Sequence, residues 1–135
     1  MARARVLLAD DNDEFLSVTT HLLEPEFDVV ATVGNGQAAV DEVGRLKPDV
    51  LVLDISMPVL NGIETARRLS TAGVQTKIVF LTVHEDLDYV RTARVAGATG
   101  YVFKSRLVVD LPMALREVMA GRFFVSSFGP ACLER

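Results

Sequence analysis

Five short apolar runs recur along the chain at near-regular intervals: RVLLA (5–9), DVVATV (28–33), DVLVLD (49–54), KIVFLT (77–82) and GYVFK (100–104). Each is rich in β-branched or aromatic residues and almost continuously apolar, as a strand covered on both faces should be. The gaps between them carry helical spacing. Phe15, Val18, Leu22 and Leu23 share one face, as do Ala39, Val43 and Leu46. Val90, Ala93 and Ala96 repeat the pattern, and Leu111, Ala114, Leu115, Val118 and Met119 are its clearest instance. The third gap, Ile63 to Leu69, is the weakest helix by this test. Gly34, Gly44, Gly73, Gly97 and Gly121 fall near element boundaries.

Strand alternating with helix five times predicts an α/β fold, a parallel sheet with helices on both faces. At 135 residues this is one domain, and the natural arrangement is a flavodoxin-like (βα)5 doubly wound sheet of strand order 2-1-3-4-5. Other classes drop out on composition. A net charge of -4 gives no reason to expect non-specific nucleic-acid binding by this domain. One cysteine, Cys132, cannot form an internal disulfide. No apolar run approaches the roughly 20 residues of a bilayer span, so no membrane partner is expected. The opening MARAR leads through a short apolar run straight into acids, unlike a signal peptide. A cytoplasmic location is the expectation.

In such sheets functional groups gather outside the carboxyl ends of the strands. The residues at or just after those ends are Asp10 and Asp11, then Asp54, Thr82 and Lys104. With order 2-1-3-4-5 the four strands concerned are contiguous, so these side chains can share one shallow pocket. A single Asp after a strand is usually a helix N-cap or turn residue. Asp13 fits that role for the first helix and Asn61 for the third, with Pro58 and Gly62 shaping the loop between. Five residues of matching chemistry at neighbouring ends are a different matter. Three carboxylates and one lysine leave excess negative charge, which suits a hard divalent cation such as Mg2+, needing one or two carboxylates and keeping several waters. One carboxylate can then act as nucleophile toward a phosphoryl group, with a lysine and a hydroxyl holding the phosphoryl oxygens.

Asp10-Asp11, "LDISMPVLNG", "LTVHED" and "GYVFK" together resemble the receiver domain of two-component response regulators, over roughly residues 4 to 121. The resemblance implies that Asp54 is the phospho-acceptor, charged by a sensor histidine kinase. It implies Asp11 and Asp54 as direct Mg2+ ligands with the backbone carbonyl of Ser56, and Asp10 acting through water. Thr82 and Lys104 would contact the phosphoryl group, and Tyr101 would be the aromatic switch residue, although an aromatic on a half-exposed strand can equally be packing. Residues 1–121 would form the receiver. "GRFFVSS" resembles the receiver end in NarL/LuxR-type regulators, where a DNA-binding output domain follows, so 122–135 reads as a tail or linker toward an output domain absent from this chain. DNA would then be met only through that domain. The alternative is a stand-alone phosphoryl shuttle.

Two positions depart from the family pattern. Ser105 stands where proline often follows the lysine, and a cis bond there without proline would cost about 2.5–4 kcal/mol, which leaves the Lys104–Ser105 geometry open. Val83 follows Thr82 where smaller residues are common. His84, two past Thr82, is either a solvated loop residue or a modulator of hydrolysis, and His21 reads as a surface residue. Rival functions fit less well. A haloacid-dehalogenase-type phosphatase needs an acid two residues after the nucleophile, where this chain has Ser56, so the expected chemistry is self-phosphorylation and self-dephosphorylation rather than turnover of external esters. A flavodoxin phosphate loop would not carry Asp10, Asp11, Asp13 and Glu14. Phe123, Phe124, Val125 and Phe128 either cap the domain's own core or form a contact, with a second copy as a homodimer or with an output domain.

Overall fold

The structure is a computed structural model and describes residues 3–126. Six parallel strands form one sheet in the order β2-β1-β3-β4-β5-β6. They are β1 (Arg5–Ala9), β2 (Asp28–Val33), β3 (Val50–Leu53), β4 (Lys77–Thr82), β5 (Gly100–Phe103) and β6 (Phe124–Val125). Five helices connect them: α1 (Asp13–Leu23), α2 (Gly36–Leu46), α3 (Gly62–Thr71), α4 (Leu87–Val95) and α5 (Leu107–Met119). The five-stranded expectation therefore holds in order and gains a strand. Two residues are too few to register as an apolar run. What holds β6 is the backbone, Phe124 N–H to Thr99 O at 3.2 Å and Ser126 N–H to Tyr101 O at 2.9 Å.

Alternate residues of each strand feed two separate cores, as a pleat with period two requires. Leu7, Leu51, Leu53, Phe80 and Tyr101 pack with Ala39, Val43, Ala66, Leu69 and Ala93 of α2, α3 and α4. Val6, Leu8, Val52, Leu81 and Val102 face the other way, against Leu16 and Leu23 of α1 and Leu111, Leu115 and Val118 of α5. Leu7, Leu51 and Leu53 lose all solvent contact, each stabilising the fold by roughly 1.5–3 kcal/mol. Strand β2, at the sheet edge, is only half-buried.

Some local expectations shift. Val18 is exposed, and the buried face of α1 is Leu16, Thr19 and Leu23. Thr19 can sit there because its hydroxyl donates to Phe15 O at 2.8 Å, a satisfied polar residue that counting apolar positions overlooks. Met119, at the end of α5, is likewise exposed. The N-cap of α1 is Asn12 rather than Asp13, its side chain accepting from Phe15 N–H at 3.0 Å. Asp13 lies instead in the first turn, where its charge complements the helix dipole. Asn61 caps α3, accepting from Glu64 N–H at 2.9 Å. That helix looks weak in sequence because it buries small residues, Gly62, Thr65 and Ala66, with Leu69 the one large one. The peptide between Lys104 and Ser105 is trans, and the chain passes through a 3-10 turn (Lys104–Arg106) into α5. No helix among the described residues is long and apolar enough to cross a membrane.

Candidate functional site

Strands β1 and β3 pair side by side, with Ala9 opposite Leu53, so the residues that follow each emerge together. Asp10, Asp11 and Asp54 offer carboxylate oxygens that all lie within 4.8 Å of one another. Asp10 and Asp54 are buried and Asp11 is exposed. Lys104 reaches this cluster from the end of β5. Its Nζ lies 2.7 Å from Asp10 Oδ2 and 3.5 Å from Asp54 Oδ2. The ammonium also sits 4.3 Å from the centroid of the Phe15 ring, where the aromatic face attracts a cation.

The two buried acids are held differently. Asp10 accepts the Asn12 N–H at 2.9 Å in addition to the lysine. Asp54 has its carboxyl pushed up from the ordinary aspartate value, chiefly by burial. Lys104 pulls it down, Asp10 pushes it up, and a backbone hydrogen bond from Ile55 lowers it again. The donor set fits a hard divalent cation: three hard oxygen ligands, crowded, and among the described residues one ammonium, that of Lys104, within reach to offset them.

The loop after Asp54 is packed tightly onto the start of α3. Gly62 N–H donates to Ile55 O at 2.8 Å. A Cβ at Gly62 would collide with the Asp54 carbonyl oxygen and stand 2.8 Å from Ile55 Cα, so only glycine fits. Ser56, whose backbone carbonyl is the further metal ligand implied in sequence, lies exposed in this loop. Its hydroxyl lies 3.2 Å from His84 Nε2.

Thr82 and Tyr101 each hydrogen-bond the backbone of His84. Thr82 is fully buried at the end of β4, and its Oγ1 accepts the His84 N–H at 3.3 Å. Tyr101 is fully buried as well, not half-exposed, and its hydroxyl donates to His84 O at 2.6 Å. Burial, then Tyr89 and the nearby charges of Asp86, Asp54 and Glu85, pushes the phenol well above the ordinary tyrosine value, so it stays a donor at neutral pH. The His84 ring itself stacks on Tyr89 with centroids 4.2 Å apart.

Sequence reasoning missed a second polar cluster beside the site. Asp110 of α5, buried, accepts from Arg106 Nε and from Ser126 Oγ, both at 2.7 Å. The i, i+4 spacing of Arg106 and Asp110 was a readable signal. Nothing in the sequence pointed to Ser126. Of the apolar C-terminal residues, Phe124 packs against the core under α1 and α5. The guanidinium of Arg94 lies 4.1 Å from the Phe123 ring centroid. Phe128 lies outside the described residues.

A doubly wound parallel sheet with an acid cluster and a lysine at the carboxyl ends of its central strands defines a class of signalling domain. The chain belongs to the response regulator receiver domain family, whose model matches residues 6–116, and its similar proteins include NarL and a LuxR-family regulator. It is 34% identical over 125 residues to the transcriptional regulatory protein DegU of Brevibacillus brevis, covering 91% of this chain and 53% of that one. It is 33% identical over 125 residues to the nitrate/nitrite response regulator NarL of Escherichia coli, covering 91% and 58%. The chain thus spans little more than half the length of these relatives. Among solved structures, a LuxR-family two-component response regulator from Aurantimonas superposes with TM-score 0.88 at 29% identity, covering 98% of this chain and 94% of that one. The isolated receiver domain of RcsB from Salmonella enterica, solved with the phosphomimetic BeF3-, gives 0.85 at 25% identity, covering 93% and 94%.

Proposed function

We propose that this receiver accepts a phosphoryl group on Asp54 from the phosphohistidine of a sensor histidine kinase, with Mg2+, in the cytoplasm. One observation carries the reading: Asp10, Asp11 and Asp54 crowd their carboxylates together while Lys104 spans Asp10 and Asp54. Asp10, Asp11 and Asp54, with the Ser56 backbone carbonyl, are the groups that would hold the metal. The chemistry a bound Mg2+ supplies is neutralisation of the crowded acids and of the incoming phosphoryl oxygens.

In the transfer, an Asp54 carboxylate oxygen bonds to phosphorus as the histidine N–P bond breaks, and the freed imidazole keeps its electron pair and takes up a proton. Burial of Asp54 strips water from the nucleophile. The Lys104 ammonium, already 3.5 Å away, turns from Asp10 toward the new phosphoryl oxygens, a charge-assisted contact. Thr82 donates its hydroxyl to the same group, giving up the His84 amide, and that exchange frees Tyr101 to switch. Residues 1–121 supply this chemistry. The likeness to DegU, a transcriptional regulatory protein, supports the reading that the domain governs transcription, with DNA contacted by a module beyond the receiver. The test is labelling with acetyl phosphate. Mg2+-dependent uptake of one phosphoryl group, abolished by chelation, is expected. Uptake that persists in excess chelator contradicts the reading.

A further inference from the structure

Lys104 stands in a short span whose two sides are tied to one buried carboxylate. On one side, the Phe103 N–H donates to Ser126 Oγ at 3.1 Å, and that hydroxyl donates onward to Asp110 Oδ2 at 2.7 Å. On the other, Arg106 grips the same carboxylate through Nε at 2.7 Å and a second guanidinium nitrogen at 3.3 Å. Asp110 and Ser126 are both buried. Ser126 is fastened once more by its backbone, to Tyr101 O at 2.9 Å. Because β6 runs parallel to β5, Ser126 lies at the carboxyl end of the sheet, the end that carries the acid cluster.

We propose that Asp110 and Ser126 are positioning residues for the Lys104 ammonium, so that an anion held at Asp54 and the seating of β6 stabilise each other. This rests on the reading of Asp54 and Lys104 given above. A lysine head on a flexible four-carbon stem reaches a fixed point reliably only if its backbone is fixed. Here the residue before it and the residue two after it share one anchor. The coupling is reciprocal by linkage: an anion that draws on Lys104 tightens the anchor, and loss of the anchor weakens the hold on the anion.

The test uses the 135-residue chain and beryllofluoride with Mg2+ as the phosphoryl mimic. Ser126→Ala and Arg106→Gln should raise the half-saturating beryllofluoride concentration roughly five- to tenfold, the scale of one lost hydrogen bond. Mg2+ affinity without beryllofluoride should not weaken, and Ser126→Thr should restore binding. In the unsubstituted protein, beryllofluoride should slow hydrogen exchange at the Phe103 and Phe124 amides. The proposal is overturned if both variants bind beryllofluoride as the unsubstituted protein does, or if Mg2+ affinity falls in parallel, the mark of general loosening. Failure of the unsubstituted protein to bind beryllofluoride would instead overturn the assignment of Asp54.

Discussion

Tyr101 and Thr82 are tied to opposite sides of one residue: the Tyr101 hydroxyl donates to the His84 carbonyl at 2.6 Å, and Thr82 Oγ1 accepts the His84 amide at 3.3 Å. The inward position of the Tyr101 ring and the free or engaged state of the Thr82 hydroxyl are therefore set by the same peptide segment. Tyr101→Phe removes one of those ties and leaves a carbonyl without its buried donor. The variant should lose about 1–2 kcal/mol of stability, seen as a lower urea midpoint with an unchanged slope. It should still take up phosphoryl. An unchanged midpoint would show that the hydroxyl contributes nothing to holding the ring.

Gly62→Ala should damage the site through the backbone. The added methyl has no room beside Asp54 O and Ile55 Cα, and overpacking of this kind costs about 1–3 kcal/mol. The strain falls on the Asp54 peptide itself. Calorimetric Mg2+ titration of the variant should show weakened binding along with a lowered melting temperature. Native-like values for both would mean that the loop yields without moving Asp54.

Asp54 predicts a dependence of stability on pH. Its carboxyl is pushed up in the fold, chiefly by burial, so the ionised form is disfavoured relative to the unfolded chain. The resulting penalty is absent below the unfolded-state value and fully present above the folded one. Without divalent metal, Asp54→Asn should therefore melt higher than the unsubstituted protein at pH 7. The gap should close as pH falls through the folded-state value into the ordinary carboxylate range. A gap that widens on acidification would reverse the sign of the shift.

How much of this was legible in the sequence differs from element to element. Strands β1, β3, β4 and β5 announced themselves because central parallel strands are apolar on both faces, and the acids and lysine at their ends followed from topology. Strand β6 was not legible, because backbone pairing rather than apolarity holds two residues in place. The buried face of α1 was misread at Val18 because Thr19 satisfies its hydroxyl locally. The Asp110–Ser126 contact links residues 16 apart in sequence, one on α5 and one just past β6, and no spacing rule encodes it.

Val59 carries backbone strain that can be removed. Its φ is +68°, uncommon for a β-branched residue, and Leu60 N–H donates to Pro58 O at 2.7 Å across it, the closure of a strained γ-turn. The side chain is exposed, so Val59→Gly loses little packing. It should stabilise the fold by about 1 kcal/mol, read from chemical denaturation. A destabilised variant would place the turn's worth in the side chain instead.

The identity of the nucleophile is tested most directly by mapping the phosphorylated residue. The protein is labelled with acetyl phosphate and Mg2+, reduced with borohydride to convert an acyl phosphate to the corresponding alcohol, digested and sequenced by tandem mass spectrometry. Conversion at Asp54, with none in Asp54→Asn, is the result expected. Conversion at Asp10 or Asp11, or undiminished labelling of Asp54→Asn, would contradict the account.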